Sequence, residues 1–178
     1  MALIPTTVIP FVDDTGSNAV LTIEQLTAQQ MAVDRPIRIL SRTPQGIVQQ
    51  ANAIEISVAT YVSTNYQLTF EDGSSVDCEA KHWWNIESAA VESGINNPTQ
   101  TDINGFRYLT TERLAIGDKL YATNEAGFLT IAAITQSPVP FSPYYMMNVP
   151  MFGNFMVVPN NGVDMQVRIV SRSKQLLS

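Results

Sequence analysis

Between Ala126 and Val163 the chain carries no Asp, Glu, Lys or Arg. An uncharged run of that length could cross a bilayer as a helix. This one holds Pro138, Pro140, Pro143, Pro150 and Pro159, with Gln, Asn and Gly between them. Proline removes a backbone donor and clashes with the preceding helical turn, so no membrane helix tolerates that density of breakers. The run therefore reads as strands joined by turns. The first twelve residues, Met1 to Val12, are equally free of basic charge. They lack a basic leader region and are broken by Pro5 and Pro10, so they read as neither a signal peptide nor a span. No membrane partner is expected.

Composition narrows the function classes. The 178 residues suit one domain with a sizeable core. Only 15% of them are charged, below the usual quarter or so, and Asn (12) and Gln (11) fill part of the deficit. Lys and Arg number 10 against 16 Asp and Glu, for a net charge of −6. No basic stripe is available for a phosphate backbone, so no nucleic-acid partner is expected. The single cysteine, Cys78, rules out an intrachain disulfide and multi-cysteine zinc sites. The single histidine, His82, rules out sites built on several histidines, and any Ser-His-Asp triad must use it. Neither a metal nor another cofactor is expected.

Local patterns are mostly β. Residues Tyr66–Phe70 and Ser75–Cys78 alternate around Glu71-Asp72-Gly73 and predict a hairpin. A long strand is predicted over Ile54–Val62 and a short one over Ile37–Leu40. Two helices are predicted. One begins at Thr22-Ile23-Glu24-Gln25-Leu26, where Thr22 and Gln25 have capping-box spacing. The other covers Trp83–Ser93 and ends at Gly94. Asn96–Gly105 reads as a loop between halves. The halves echo each other: Ile23–Leu26 and Thr111–Leu114, strands Ile37–Leu40 and Lys119–Ala122, then turns Thr43–Gly46 and Thr123–Gly127. Long apolar stretches Ile47–Val62 and Phe128–Val139 follow. Each half closes on a predicted hairpin, Tyr66–Cys78 turning at Gly73 and Tyr145–Val158 turning at Gly153. Such a duplication implies a closed, pseudo-twofold β body.

The order of four blocks resembles the Hint domain, the autoprocessing module shared by inteins and hedgehog proteins. The first is Ala2–Ile9, then Asp14-Thr15-Gly16, then Thr22–Leu26. The second is Tyr66–Phe70 with Asp72-Gly73 and Cys78-Glu79-Ala80-Lys81-His82. The third is Leu114-Ala115-Ile116-Gly117-Asp118-Lys119-Leu120. The last joins Tyr145–Val149, Asn154–Val158 and Gly162–Met165. The resemblance spans about residues 2–167. It implies a mainly β, Hint-like pseudo-twofold fold with one or two short helices. One domain is expected, with units at about 2–82 and 106–167 and a C-terminal tail at 168–178.

The chemistry that the resemblance implies is incomplete. The family's nucleophile position falls on Ala2, which offers no thiol or hydroxyl. Only Met1 precedes it, so almost nothing lies upstream to release. The second block's Thr falls on Glu79, and the closing His-Asn pair on Gln166 and Val167. Of the catalytic set His82 alone remains, as a relict base without a nucleophile. A plain reading makes it a hydrogen-bonded core histidine. Glu79 reads either as its carboxylate partner or as a solvated strand end. Cys78 reads as a buried, inert thiol. Asp118 after Gly117 reads as a turn residue. Asp13, Asp14 and Glu24 lack the ligand periodicity of a calcium loop.

The expectation is a non-catalytic structural or assembly protein. It would be a bacteriophage virion component in capsid decoration, head–tail junction or tail, made in the host cytoplasm. Its partners would be other structural proteins or copies of itself in a large oligomer. The contact residues expected are Ile4, Val8, Phe11, Phe141, Tyr144, Tyr145, Met146 and Met147, in the two uncharged segments. Two alternatives carry their own signals: a residual autoprocessing or hydrolase domain centred on His82, and a small-molecule or glycan module using Trp83 and Trp84.

Overall fold

A computed structural model describes residues 2–33, 35–88, 100–101, 105–137, 143–160 and 167–173. Three hairpins share one turn. In each, a residue accepts from a glycine three positions on and donates to the carbonyl four positions on: Asp13 with Gly16 and Ser17, Thr43 with Gly46 and Ile47, Phe70 with Gly73 and Ser74. The three glycines sit at φ of 84°, 83° and 88°. This is a type I turn closed by a left-handed residue, and glycine is the residue that adopts it without strain.

Strand β1 (Val8–Val12) and β2 (Asn18–Thr22) flank the first turn, and helix α1 (Ile23–Val33) follows directly. The helix starts where the capping box predicts. Gln25 N–H donates to Thr22 Oγ1 at 3.2 Å and Thr22 N–H donates to Gln25 Oε1 at 3.0 Å. Ile23 and Leu26 bury its inner face. Strands β3 (Ile37–Arg42) and β4 (Val48–Ala53) flank the second turn, and β5 (Glu55–Thr60) follows. The strand expected over Ile54–Val62 thus breaks at Ile54 and stops at Thr60. Next come β6 (Asn65–Phe70), β7 (Ser75–Glu79), β8 (Trp83–Ser88), β9 (Gln100–Thr101) and β10 (Arg107–Thr110). A short 3-10 helix at Thr111–Arg113 echoes α1 at the matching place in the second half. The rest is β11 (Lys119–Tyr121), β12 (Phe128–Gln136), β13 (Pro143–Asn148), β14 (Asn154–Val157) and β15 (Ile169–Arg172).

The strands form a four-stranded sheet ordered β2-β1-β3-β4, a nine-stranded sheet running β14-β15-β8-β11-β12-β6-β7 with β10 and β9 branching from β8, and the pair β13-β5. The halves interlock by exchange. After its turn, β4 continues into β5, which pairs with β13 of the second half. After the matching turn, β12 pairs with β6 of the first half. One large core runs through both, from Leu3, Ile9 and Ile39 to Leu68, Trp84, Leu120 and Ile169. No helix among the described residues is long and apolar enough to cross a membrane.

Four expectations are corrected. Trp83–Ser88 is a strand, not the start of a helix. Pairing to β10, β11 and β15 claims both its edges and overrides a sequence pattern that suits a helix. The rest of that stretch lies outside the described residues. Tyr145–Val158 is not a hairpin: the chain turns at Gly153, but β13 pairs with β5 and β14 with β15. Residues 169–172 are not tail but the strand β15 between β14 and β8; 174–178 lie outside the described residues.

The fourth concerns the contact residues. Leu3 exchanges backbone hydrogen bonds with Tyr145 at 2.8 and 2.9 Å, and Val158 N–H donates to Val8 O at 2.9 Å. The two uncharged segments expected to meet neighbours therefore meet each other. Ile4, Phe11, Tyr144, Tyr145 and Met147 are buried in the chain's own interior, and Val8 and Met146 are half-buried. An uncharged strand is the cheapest thing to bury, because no charge must be desolvated. Phe141 lies outside the described residues.

Candidate functional site

The turn between β7 and β8 sets the site. His82 N–H donates to Glu79 O at 3.0 Å, Ala80 N–H to Thr64 O at 2.9 Å, and Thr111 N–H to His82 O at 2.9 Å. His82 is thereby fixed on both sides and fully buried. Its Nε2 lies 3.0 Å from Ser171 Oγ on β15. Trp84 meets the ring edge-on at 4.6 Å between centroids, and Phe155 lies at 6.4 Å. The histidine is a hydrogen-bonded core residue.

Glu79 is buried rather than solvated. Its carboxylate accepts from Ser63 Oγ at 2.6 Å and from Lys81 N–H at 3.0 Å. It makes no side-chain pair with His82 among the described contacts. Next to it, Tyr144 donates its hydroxyl to Asn65 Oδ1 at 2.9 Å and stacks on Tyr61 at 4.5 Å. Burial, with the Glu79 charge adding to it, pushes the Tyr61 phenol up to about 12. Ala2 is buried with Ile4 and Tyr144, and Met146 packs over them. Apolar side chains thus surround the Ala2 methyl group.

Cys78 is buried beneath this turn. Its Sγ lies 3.7 Å from Tyr66 O and 3.5 Å from Thr111 Oγ1. Burial raises the thiol from 9.0 to about 12, so the thiolate is negligible at neutral pH. Native protein is expected to resist iodoacetamide at pH 8 for hours and to react at once in denaturant. Mass spectrometry reads the adduct; rapid labelling of the native chain would contradict the burial. The same shift gives an alkaline signature. Above pH 9 the unfolded thiol ionises while the folded one does not, so this group's contribution to stability falls from there toward pH 12.

The remaining candidates are structural. Asp118 is buried and its Oδ2 accepts from Ala115 N–H at 2.8 Å, closing the turn before β11. Asp13 Oδ1 accepts from the N–H groups of Thr15 and Ser17, both at 2.9 Å, and Asp14 pairs with Arg35. No group of three metal-ligating side chains occurs among the described residues. Trp84 is fully buried and donates Nε1–H to Thr111 Oγ1 at 3.0 Å, while Trp83 is half-buried with the Arg172 guanidinium 5.5 Å from its ring. The two do not form an exposed stacking platform.

The strand pairing with the Asn154-Phe155 strand is β15, with Asn154 opposite Arg172 and Phe155 opposite Ser171. Gly162–Gln166 lie outside the described residues. Ser171, which the sequence reading missed, faces His82 from 89 positions away. Only pairing of the Asn154-Phe155 strand with a later strand could have revealed it.

No protein-family model matches the chain, and no curated protein matches it in sequence. Solved structures match over nearly the whole length. The DnaB intein from Synechocystis sp. PCC 6803 is 15% identical, with 98% of this chain and 99% of that one covered, at a TM-score of 0.64. The transcription factor IIB Mvu mini-intein is 15% identical over 97% and 100%, at 0.70. The bacterial intein-like domain from Clostridium thermocellum is 16% identical over 97% and 98%, at 0.63. At such identities the likeness establishes the fold, a Hint-like intein fold, and leaves activity open.

Proposed function

We propose that this chain uses the Hint-like fold as an inert scaffold, a structural assembly protein whose setting is a bacteriophage virion. The observation that carries the reading is that both positions are buried. Ala2, on which the resemblance puts the nucleophile, packs against Ile4, Tyr144 and Met146, and His82 packs against Ser171, Trp84 and Phe155. Ser171 Oγ does stand 3.0 Å from His82 Nε2, but both residues are fully buried, so no acyl group from outside reaches that hydroxyl. A sparsely charged surface rich in amides fits packing among neighbours. So does a stripe of exposed apolar residues along β5 and its ends: Ile54, Val58 and Val62, the last 81% exposed. Val58 lies within the strand, and Ile54 and Val62 flank it. This stripe takes over the contact role first expected of the buried segments.

On incubation for days the full chain is expected to keep its intact mass, and His82→Ala to behave alike. A shorter or ligated product that His82→Ala abolishes would overturn the scaffold reading. In sedimentation the chain is expected to form concentration-dependent species above its 19.6 kDa monomer. Val58→Glu with Val62→Glu is expected to return it to monomer. A strictly monomeric chain that also fails to join particles in a phage lysate would overturn the assembly role.

A further inference from the structure

The matching turns of the two halves, Thr43–Ile47 and Ala122–Gly127, line one half-open cavity of about 440 Å³. That size lies within the usual range for small-molecule sites, roughly 300–1,000 Å³. Val48, Ala122, Met156 and Val170 give it apolar walls, Thr123 and Asn124 polar ones, and Arg42 lines it beside Gly46, where an added Cβ would stand 3.7 Å from Arg42 Nη2.

Arg42 is held unusually well. Its backbone N–H donates to Asn154 Oδ1 at 2.7 Å, and its carbonyl accepts from Asn154 Nδ2 at 2.9 Å. Its guanidinium carbon stands 3.8 Å from the Tyr121 ring centroid and 4.8 Å from that of Phe106. A guanidinium carries five N–H donors. The side-chain partner of this one is Asn85 Oδ1 at 3.3 Å. Arg42 is in neither of the ion pairs Arg35–Asp14 and Lys81–Glu112, and no carboxylate among the described residues neutralises it. Glu87 and Arg42 both line a second, smaller cavity, beyond ion-pair distance from each other. A half-buried, oriented guanidinium without a counter-charge, opening on an apolar cavity, fits an anion attached to an apolar body.

We infer that this cavity binds a carboxylate carried on a small apolar group. The carboxylate meets Arg42, and the apolar body lies against Val48, Met156 and Val170. The ligand is either a free organic acid or the C-terminal end of a peptide. The inference stands apart from the scaffold reading, since it uses neither Ala2 nor His82.

The test titrates the full chain with phenylacetate and with N-acetyl-valyl-leucine, each beside its neutral amide. Calorimetry and the amide NMR shifts of Arg42, Tyr121 and Val170 report binding. Either acid is expected to bind about tenfold or more tightly than its amide, as loss of a charge-assisted pair implies. The acid that binds more tightly identifies the source. Arg42→Gln is expected to remove that preference. Val48→Trp, at an exposed position on the rim, is expected to block both acids while keeping Arg42 and the fold. Equal affinity for acid and amide, preference retained in Arg42→Gln, or no shifts with either acid up to about 10 mM would overturn the assignment.

Discussion

Asn154→Leu is expected to lower the unfolding free energy by about 3–9 kcal/mol, enough to unfold much of a marginally stable domain. Asn154 is fully buried, and its amide behaves like a short piece of strand. Oδ1 accepts from Arg42 N–H, and Nδ2 donates to the carbonyls of Arg42 and Phe152 at 2.9 and 3.1 Å. Its own carbonyl accepts from Ser41 Oγ. Leucine fills the space but leaves one backbone N–H and two carbonyls without this partner, each costing about 1–3 kcal/mol when buried. The clamp joins β3 of the first half to β14 of the second. Urea titration followed by circular dichroism measures the loss. A change below about 1 kcal/mol would mean that the main-chain groups find other partners.

Trp84→Ala is the second large effect, expected at about 3–5 kcal/mol. The indole is wholly buried on the strand that pairs with β10, β11 and β15. Removing it opens a cavity against His82 and leaves Thr111 Oγ1 without its 3.0 Å donor. Trp84→Phe separates the two causes: packing is mostly kept and the hydrogen bond lost, for about 1–2 kcal/mol. If both variants cost the same, the hydrogen bond rather than the cavity dominates. Chemical denaturation monitored by the remaining Trp83 gives both values.

Local signals in the sequence were reliable wherever a structure is closed by near neighbours. The capping box of Thr22 and Gln25 is one such case, and the glycine turn at Gly73 is another. Both depend on hydrogen bonds between residues within four positions of each other. The uncharged run was correctly legible as strands at Phe128–Gln136, Pro143–Asn148 and Asn154–Val157. What it packs against was not legible. Lack of charge says that a segment is cheap to bury, not whether the burying surface belongs to the same chain; here Leu3 and Tyr145 settle that by pairing with each other. The strand at Trp83–Ser88 was misread because helical spacing of Ile86 and the residues after it ignores edges supplied from far along the chain. Of the candidate site, the burial of Cys78 and the core role of His82 could be read locally. The Ser171 contact could not, because it follows from the pairing of β14 with β15 and β15 with β8.

The exchange of strands between the halves bears on how the molecule comes together in time. β5 gains its partner only when β13 has been made, and β6 gains its inner partner only when β12 arrives. Much of the sheet hydrogen bonding thus waits on loop closures that span a large part of the sequence. Their entropy is lost before any of these contacts forms. Neither half keeps its full set of strand pairings without the other. The chain is accordingly built to fold slowly and in one cooperative step, and local loosening at one crossover weakens the other.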